Sequence, residues 1–358
     1  MNTFAPPTDA PRGLRSRGLW AALTLALLLL PGLAQGKPPA APAEPELVPV
    51  EPPPPPAAEP ALAPTVKVGN EVIPHEIFGI FVMPEEQRAI EPVFERPDTR
   101  YSVAISGGTL TEDTVLVGDE EGTRWVWTAP AEPGLYPITL TRLDDGAEVL
   151  LNAFVMTPSD EILDGRLKGF RIGSYPAKPL RGRSIYLPPR GFIEVTAENR
   201  NTQIAPHFRV GEFVAKQAGG YPKFVVLRER LILKLEMIID KLQEAGYHAN
   251  SLHIMSGYRT PFYNRAIGNV QYSRHVWGGA ADVFVDERPK NGVMDDLNGD
   301  GRVTRADAAA IYQLIDQLAD EPWYKPFIGG LGLYGPKPGV RGPFIHVDVR
   351  GYRARWGH

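Results

Sequence analysis

The chain has 358 residues, of which 43% are apolar and 22% charged, and its formal charge is −4 at pH 7. A net negative charge excludes an electrostatically driven nucleic-acid binder, which needs a basic surface. The chain contains 37 prolines and no cysteine. Thiol catalysis, disulfides and cysteine zinc sites are therefore excluded, and any metal site must be built from His, Asp and Glu.

The N-terminal segment is typical of an export signal. Three arginines precede the apolar run 19–30, and small residues follow it. The run is shorter than the ~20 residues that a bilayer span needs. We therefore expect residues 1–36 to be a signal peptide, with an uncleaved anchor as the alternative. The mature protein is then periplasmic or secreted, and no membrane span is expected after signal cleavage.

Residues 37–64 hold 12 of the 37 prolines, interspersed with alanine and glutamate. Proline fixes its own φ and donates no backbone hydrogen bond, so the segment cannot form a helix or an interior strand. We expect an extended linker.

Short β-rich pieces separated by Gly, Pro and Asp turns fill residues 65–158. Trp125 and Trp127 lie on one face of their piece, with Val126 on the other. This pattern predicts an all-β, antiparallel, immunoglobulin-like sandwich that serves as a spacer or binding module. The six pieces are 65–68, 101–105, 114–117, 123–128, 135–142 and 148–156.

Residues 159–202 read as a connecting segment rich in Gly, Pro and Arg. Its basic cluster of Arg181, Arg183 and Arg190 fits a solvated loop, or a contact with anionic cell-wall polymer. Residues 203–358 then have the size and the mixed patterning of one α+β domain.

Helical patterning predicts a long amphipathic helix over 224–245 in this last domain, which Gly246 ends. A strand is expected over 251–255. The pair Thr260-Pro261 then reads as the N-cap and first residue of another helix.

Two blocks of this domain carry the residue types of a metal site. His275 and Asp282 are seven positions apart, with two glycines between them that let the chain turn sharply. The second block places His346 and Asp348 on one face of a strand. Two imidazoles and one carboxylate, with one open position for water, make a catalytic rather than a structural zinc site. A nearby carboxylate must then transfer the proton of that water, and Asp348 is the candidate by position. The alternative is a pair of structural histidines with a turn aspartate.

These blocks also resemble a known family. Residues 256–259 (SGYR), 273–282 (SRHVWGGAAD) and 344–348 (FIHVD) are similar to the motifs of the zinc D-alanyl-D-alanine carboxypeptidases. That family belongs to the clan of the lysostaphin-type peptidases and the hedgehog domain. The resemblance covers about 203–358 and is closest to the murein endopeptidase-K-like branch. It implies a domain with an antiparallel sheet, flanking helices and peptidoglycan peptides as substrate.

The resemblance also implies roles for individual residues. Zinc would be held by His275, Asp282 and His346. Arg259 and Ser273 would hold the peptide carboxylate and polarise the site, with Tyr258 beside them in the same substrate-binding motif. Arg259 is thus counted with Asp348 among the catalytic residues.

The sequence departs from the family pattern at one position. Many relatives carry a catalytic glutamate three residues before the last histidine, where this chain has Pro343. Either Asp348 or a carboxylate from elsewhere must then act as the base. A protein that keeps zinc without hydrolysis, as a cell-wall or protein-binding module, is the alternative.

Residues 296–307 resemble an EF-hand calcium loop, with oxygen ligands at positions 1, 3, 5, 7 and 12 and glycine at position 6. We expect a structural Ca²⁺ site in this insertion, with a metal-free turn as the alternative. The ligands would be Asp296, Asn298, Asp300, the Arg302 carbonyl and Asp307.

Taken together, the sequence predicts an exported zinc metallopeptidase that cleaves stem or cross-link peptides of peptidoglycan near D-amino acids. The non-catalytic binder is the main alternative. An adhesin built on residues 65–158 is a third hypothesis, but it leaves the histidine motifs unexplained.

Overall fold

A computed structural model describes residues 62–93, 99–117 and 120–357. The expected signal peptide lies outside the described residues, as does the expected linker except for its last three residues. The described part of the chain is a mixed α+β structure in which strands predominate.

Nine strands are present among the described residues before position 156. They are β1 Val66–Val68, β2 Glu71–Ile73, β3 Ile77–Val82, β4 Gln87–Pro92, β5 Tyr101–Ile105, β6 Thr109–Val117, β7 Glu120–Thr128, β8 Gly134–Arg142 and β9 Glu148–Val155.

These strands form two sheets. One has the order β2-β1-β4-β7-β6 and is antiparallel throughout, and the other has the order β3-β9-β8-β5. In the second sheet β3 and β9 run parallel, which differs from the antiparallel sandwich that the sequence pattern predicts. Trp125 and Trp127 both lie on β7, where the predicted alternation places them on one face, and both are buried. The immunoglobulin-like assignment remains a prediction.

The strand β3 is absent from the sequence prediction because it does not alternate. Five of its six residues are buried, since both of its faces are covered. Gly79 lies against Ile204, and a Cβ atom at Gly79 would come within 2.7 Å of the Ile204 side chain. A strand covered on both faces reads as one apolar run, which a period of two does not detect.

The connecting region carries short elements only. Its strands are β10 Thr157–Pro158, β11 Arg166–Leu167, β12 Phe170–Arg171 and β13 Gly191–Val195, with 3₁₀ turns at Ser159–Glu161, Leu180–Gly182 and Ser184–Tyr186. Beyond residue 202 follow β14 Gln203–Ala205, β15 Phe208–Arg209, a 3₁₀ turn at Val210–Phe213 and β16 Lys223–Val225. Strands β10, β13 and β16 form one small sheet that joins the connecting region to the last domain.

The last domain contains three α-helices and a five-stranded sheet. The elements are α1 Glu229–Glu244, β17 His253–Ser256, α2 Pro261–Ala266, β18 Ala280–Phe284, α3 Arg305–Gln317, β19 Gly330–Tyr334, β20 Phe344–Asp348 and β21 Ala354–Trp356, with 3₁₀ turns at Arg274–Trp277, Leu318–Asp320 and Pro322–Phe327. The sheet order is β17-β18-β20-β19-β21, and α3 packs on β19 and β20.

The predicted helix over 224–245 begins later than expected. Residues 223–225 pair with β13 as a strand, so the helix starts at Glu229. Its buried face carries Leu231, Leu235, Ile238 and Leu242, as the sequence predicts.

The predicted N-cap is confirmed, because the Thr260 hydroxyl accepts a hydrogen bond from the Tyr263 amide at 3.0 Å, with Pro261 at the first helical position. By contrast, residues 212–216, whose sequence pattern is helix-like, contribute only to a 3₁₀ turn that ends at Phe213.

The two-sheet region and the last domain share one continuous hydrophobic core. Polar contacts reinforce this junction: Arg230 pairs with Glu71 at 2.6 Å, and the Phe81 amide donates to Glu229 Oε1 at 2.9 Å. The described residues therefore form one compact unit. None of the helices within it is long and apolar enough to cross a membrane.

Candidate metal centre

Three elements bring His275, Asp282 and His346 together. His275 lies in the 3₁₀ turn Arg274–Trp277, after which Gly278 turns the chain with a φ of +62°. A Cβ at Gly278 would lie 2.1 Å from the Val226 carbonyl oxygen, so glycine is required there. The chain then enters β18, where Asp282 pairs directly with His346 of the neighbouring β20.

The three side chains converge on one point. His275 Nε2 lies 3.2 Å from Asp282 Oδ1 and 3.2 Å from His346 Nδ1, and the last two atoms are 2.9 Å apart. All three residues are buried, and among the described residues they form the one His/Asp/Glu group whose ligand atoms lie within 4.8 Å of one another. In a tetrahedral zinc site with bonds of 2.0–2.1 Å, ligand atoms are about 3.3 Å apart. The triangle therefore has the size of a zinc site.

Hydrogen bonds fix which ring nitrogens carry protons. His275 Nδ1 donates to the Gly257 carbonyl at 2.7 Å, and His346 Nε2 donates to Asp348 Oδ2 at 3.2 Å. In the neutral rings the other nitrogens carry lone pairs, and these face the Asp282 carboxylate. Three electron-rich atoms at this separation repel one another unless a cation lies between them. This donor set fits a divalent metal with imidazole and carboxylate ligands.

The shifts in the pKa values of the two histidines agree with this arrangement. Burial lowers the pKa of His275, which keeps its ring neutral. Burial alone would lower the pKa of His346, but hydrogen bonds to Asp282 and Asp348 outweigh that effect and raise it. A proton therefore competes with a metal ion for the triangle, as is usual where ligands must be deprotonated.

Asp282 and His346 each have a second hydrogen-bond partner, which binds the atom that does not face the triangle. Arg259 Nη2 donates to Asp282 Oδ2 at 2.5 Å, while Arg259 Nε donates to Ser256 Oγ at 2.8 Å. Asp348 takes the corresponding position behind His346. Such outer partners orient metal ligands and set the tautomer of a ligating histidine.

Asp348 itself is completely buried and fully hydrogen-bonded. Its carboxylate accepts from the Gly330 amide at 2.8 Å and from Arg350 Nη2 at 2.5 Å, in addition to the His346 ring. Burial alone would raise the pKa of Asp348, but hydrogen bonds from His346 and Arg350 outweigh it, and the pKa lies well below its ordinary range. Asp348 lies on the far side of the His346 ring and does not line the cleft. Its assignment as the base remains a prediction.

The triangle opens onto a cleft of about 670 Å³. Two of the predicted substrate residues, Arg259 and Ser273, line this cleft. The third does not: Tyr258 is buried, and its hydroxyl lies 2.9 Å from the hydroxyl of Tyr175. Tyr258 therefore packs behind the site, on the side opposite to its neighbour Arg259.

Several cleft residues were absent from the prediction as site residues. The connecting region supplies Arg181, Arg183 and Tyr186, and the C-terminal part supplies Arg341, Arg350, Tyr352 and Trp356. One of them could have been found from the sequence, because Arg350, two residues beyond the end of β20, continues the spacing of His346 and Asp348. Trp356 lies in the short strand β21, and the others lie in loops or turns, where periodicity does not indicate the direction of a side chain.

The predicted calcium loop is well organised by its own side chains. Asp296 Oδ2 accepts from the Gly301 amide at 2.7 Å and its Oδ1 accepts from the Gly299 amide at 2.8 Å. Asp307 is buried and accepts from the amides of Leu297 and Thr304 at 2.9 and 2.7 Å. With Thr304 as N-cap, Asp307 thereby forms the capping box of α3.

The remaining predicted ligands Asn298, Asp300 and Arg302 are neighbours in this loop. The Arg302 amide donates to Asp300 Oδ1 at 2.9 Å, and the Asp300 amide donates to Asn298 Oδ1 at 3.0 Å. The loop is thus closed by hydrogen bonds within the chain, and its calcium assignment remains a prediction.

Comparison with known proteins identifies one family. Residues 206–300 match the model of the peptidase M15 family. This confirms the resemblance to the zinc D-alanyl-D-alanine carboxypeptidases that the sequence motifs indicated. The matched residues contain Arg259, Ser273, His275 and Asp282 but not His346, whose place in the site follows from the pairing of β20 with β18. No protein of curated function matches the chain.

Proposed function

We propose that this protein is a zinc metallopeptidase that hydrolyses stem or cross-link peptides of peptidoglycan, at bonds next to D-amino acids. The observation that carries the proposal is the convergence of two imidazole lone pairs and one carboxylate oxygen at the wall of an open cleft. The match to the peptidase M15 family supports peptide hydrolysis as the reaction. The peptidoglycan substrate and the D-amino acid rest on the resemblance of the motifs.

The chain's own residues supply positioning and charge. A zinc ion held by the triangle would polarise the scissile carbonyl and lower the pKa of a water molecule toward ~7. Arg259 keeps Asp282 in place and also faces the cleft, where its guanidinium can hold a peptide carboxylate. Asp348 keeps the His346 ring oriented through Nε2.

The experiment is digestion of purified peptidoglycan sacculi, with products identified by mass spectrometry. We expect about one zinc per chain, release of defined muropeptides, and loss of release with chelator or in His346→Ala. If His346→Ala releases the same fragments as the wild type, the proposal fails. The Asp320→Asn variant, on an exposed surface, serves as a control that should keep full activity.

A specific observation favours a second candidate, a zinc-containing binding module without hydrolysis. Among the described residues that line the cleft, Asp282 is the only carboxylate, and it belongs to the triangle. No cleft carboxylate is thus free to transfer a proton, and Pro343 occupies the position of the usual glutamate. A wild type that binds muropeptides in a zinc-dependent manner, yet leaves them intact over many hours, would support this candidate.

Two further proposals complete the assignment. We place the mature protein outside the cytoplasm, supported by the signal-like residues 1–36, which cleavage-site sequencing of the mature protein tests. We also propose that residues 296–307 bind a structural Ca²⁺. At millimolar calcium the melting temperature should rise in the wild type and not in Asp300→Ala, because a ligand that binds only the folded state stabilises it. An equal response in both proteins would contradict calcium binding at this loop.

A further inference from the structure

The charge of the cleft is opposite to that of the chain. Six arginines line the cleft, whereas Asp282 is its only carboxylate among the described residues, and the chain as a whole carries −4. Clefts lined by one sign of charge concentrate ligands of the other sign. The six are Arg181, Arg183, Arg259, Arg274, Arg341 and Arg350.

Two of these arginines are neutralised within the protein. Arg259 pairs with Asp282, and Arg350 pairs with Asp348, both at 2.5 Å. In the described part of the chain, no carboxylate lies within 4.0 Å of the side-chain nitrogens of the other four. The cleft therefore contains four guanidinium groups that form no ion pair with a carboxylate of the described residues. They are Arg181, Arg183, Arg274 and Arg341.

Arg274 is the most unusual of the four. Its side chain is only 2% exposed, and Nη1 donates to the Ile185 carbonyl at 2.8 Å, but Nε and Nη2 are buried with no hydrogen-bond partner. A buried charge without a counter-ion is costly, and water screens it little. An anion in the adjoining cleft would lower that cost, so Arg274 favours anionic ligands through its field.

Arg183 and Arg341 are held in fixed positions by aromatic rings. The Arg183 guanidinium lies 4.1 Å from the centre of the Tyr352 ring, and that of Arg341 lies 4.7 Å from the centre of the Phe344 ring. Arg341 Nη1 also donates to the Gly335 carbonyl at 2.5 Å. Positioned side chains lose less entropy on binding, and a planar guanidinium matches the two oxygens of a carboxylate.

We propose that the cleft selects peptides that carry at least two free carboxylates in the segment it holds, and that Arg183 and Arg341 recognise them. This inference rests on the peptidase function proposed above. A peptide with only a terminal carboxylate would bind one guanidinium and leave the other unpaired arginines of the cleft without an anionic partner. A stem peptide with free glutamate and diaminopimelate carboxylates meets the requirement, whereas its amidated form does not.

The test compares two synthetic pentapeptides of equal length. The first is L-Ala-γ-D-Glu-meso-diaminopimelate-D-Ala-D-Ala, and the second carries carboxamides on the glutamate α-carboxylate and the free diaminopimelate carboxylate. The zinc-loaded protein should hydrolyse the diacid with a kcat/KM at least tenfold higher, mainly through a lower KM. Raising the salt concentration should reduce this preference, since exposed charges are screened.

Variants then assign the preference to residues. Arg183→Gln and Arg341→Gln should each lower the kcat/KM of the diacid severalfold more than that of the diamide, so that the ratio between the two peptides falls. The control is Arg190→Gln, since Arg190 lies in the same arginine-rich region but pairs with Glu86 and does not line the cleft. It should keep the full preference. Circular dichroism and melting curves verify that each variant is folded.

A binding measurement separates this inference from the proposed function. Calorimetric titration of the chelator-treated protein should show tighter binding of the diacid than of the diamide, whether or not hydrolysis occurs. If neither peptide is cleaved but the diacid binds more tightly, the peptidase proposal fails and the selectivity stands. If both peptides are cleaved with equal kcat/KM, the selectivity is overturned while the peptidase stands, and equal binding without cleavage overturns both. The selectivity is also overturned if inorganic phosphate competes as well as the diacid.

Discussion

Asp348 holds His346 by the ring nitrogen that faces away from the metal triangle, with 3.2 Å between Asp348 Oδ2 and His346 Nε2. Arg350 and the Gly330 amide in turn hold the carboxylate of Asp348, which is completely buried. The position of His346 is therefore set by hydrogen bonds on the side of its ring that faces away from the triangle. This gives Asp348 a role distinct from the base that the sequence predicted.

The Asp348→Asn variant separates the two roles. If Asp348 orients His346, the substitution should weaken zinc binding by about 10–100-fold, as is typical for outer partners of metal ligands. Competition with a chromophoric chelator measures this affinity. A variant that binds zinc as tightly as the wild type but has lost turnover would instead support the base.

Zinc should stabilise the fold independently of any activity. Because the pairing of β18 with β20 brings the three ligand residues together, the ion should bind only the folded state. A zinc concentration about 1,000 times the dissociation constant would then add about 4 kcal/mol to the free energy of unfolding. Melting curves should show a large zinc-dependent shift in the wild type and little in His275→Ala. Equal shifts in both proteins would show that zinc binds elsewhere.

The buried Lys234 should make the free energy of unfolding depend on pH. Its ammonium group is buried and donates to the carbonyls of Phe327 and Asp348 at 2.9 Å, and burial lowers its pKa to about 7. The unfolded chain then binds more protons than the folded chain between that pKa and the ordinary value of 10.5. The free energy of unfolding should consequently rise with pH across this range, and stay level in this respect below it.

Urea unfolding at pH 7, 8 and 9 measures the effect. The wild type should gain stability relative to Lys234→Met by up to about 1.4 kcal/mol per pH unit. The control is Lys241→Met, which removes a partly exposed lysine paired with Glu244. The difference in stability between this variant and the wild type should not change with pH. A constant difference between wild type and Lys234→Met would mean that Lys234 stays charged throughout.

The shared core predicts that the two-sheet region and the last domain unfold together. A methyl group at Gly79 would come within 2.7 Å of Ile204, so Gly79→Ala should destabilise by about 1–3 kcal/mol through overpacking. Calorimetry should show one transition, shifted to lower temperature. Gly220→Ala, where a methyl group meets open space, should leave it nearly unchanged. Two separate transitions, with only the first shifted, would contradict a joint unit.

The metal triangle could be predicted from the sequence because its residues stand at regular spacings within strands and turns. Alternation along β20 places His346 and Asp348 on one face, and the glycines after His275 allow the turn into β18. Alternation does not indicate which ring nitrogen of His346 contacts Asp348. The hydrogen bond between Asp348 and His346 Nε2 therefore follows from the three-dimensional structure alone.

The remaining differences have a similar physical origin. Tyr258 was grouped with Arg259 because the two are adjacent, yet adjacent extended residues point to opposite sides. The cleft residues Arg183 and Arg341 lie in irregular segments far apart in the chain, so nothing local indicates that they meet one cleft. Long-range packing, rather than any motif, determines these positions.

The connecting region has a further consequence for where the functional unit begins. Tyr186 packs edge-on against Trp277 at 5.2 Å between ring centres, and the Trp277 indole donates to the Leu187 carbonyl at 3.0 Å. A fragment that starts at residue 203 would retain His275, Asp282 and His346, but it would lose Arg181, Arg183 and Tyr186 from the wall of the cleft and leave Trp277 packed on Tyr272 without Tyr186. The complete cleft thus requires residues that precede the segment matched by the family model, 206–300.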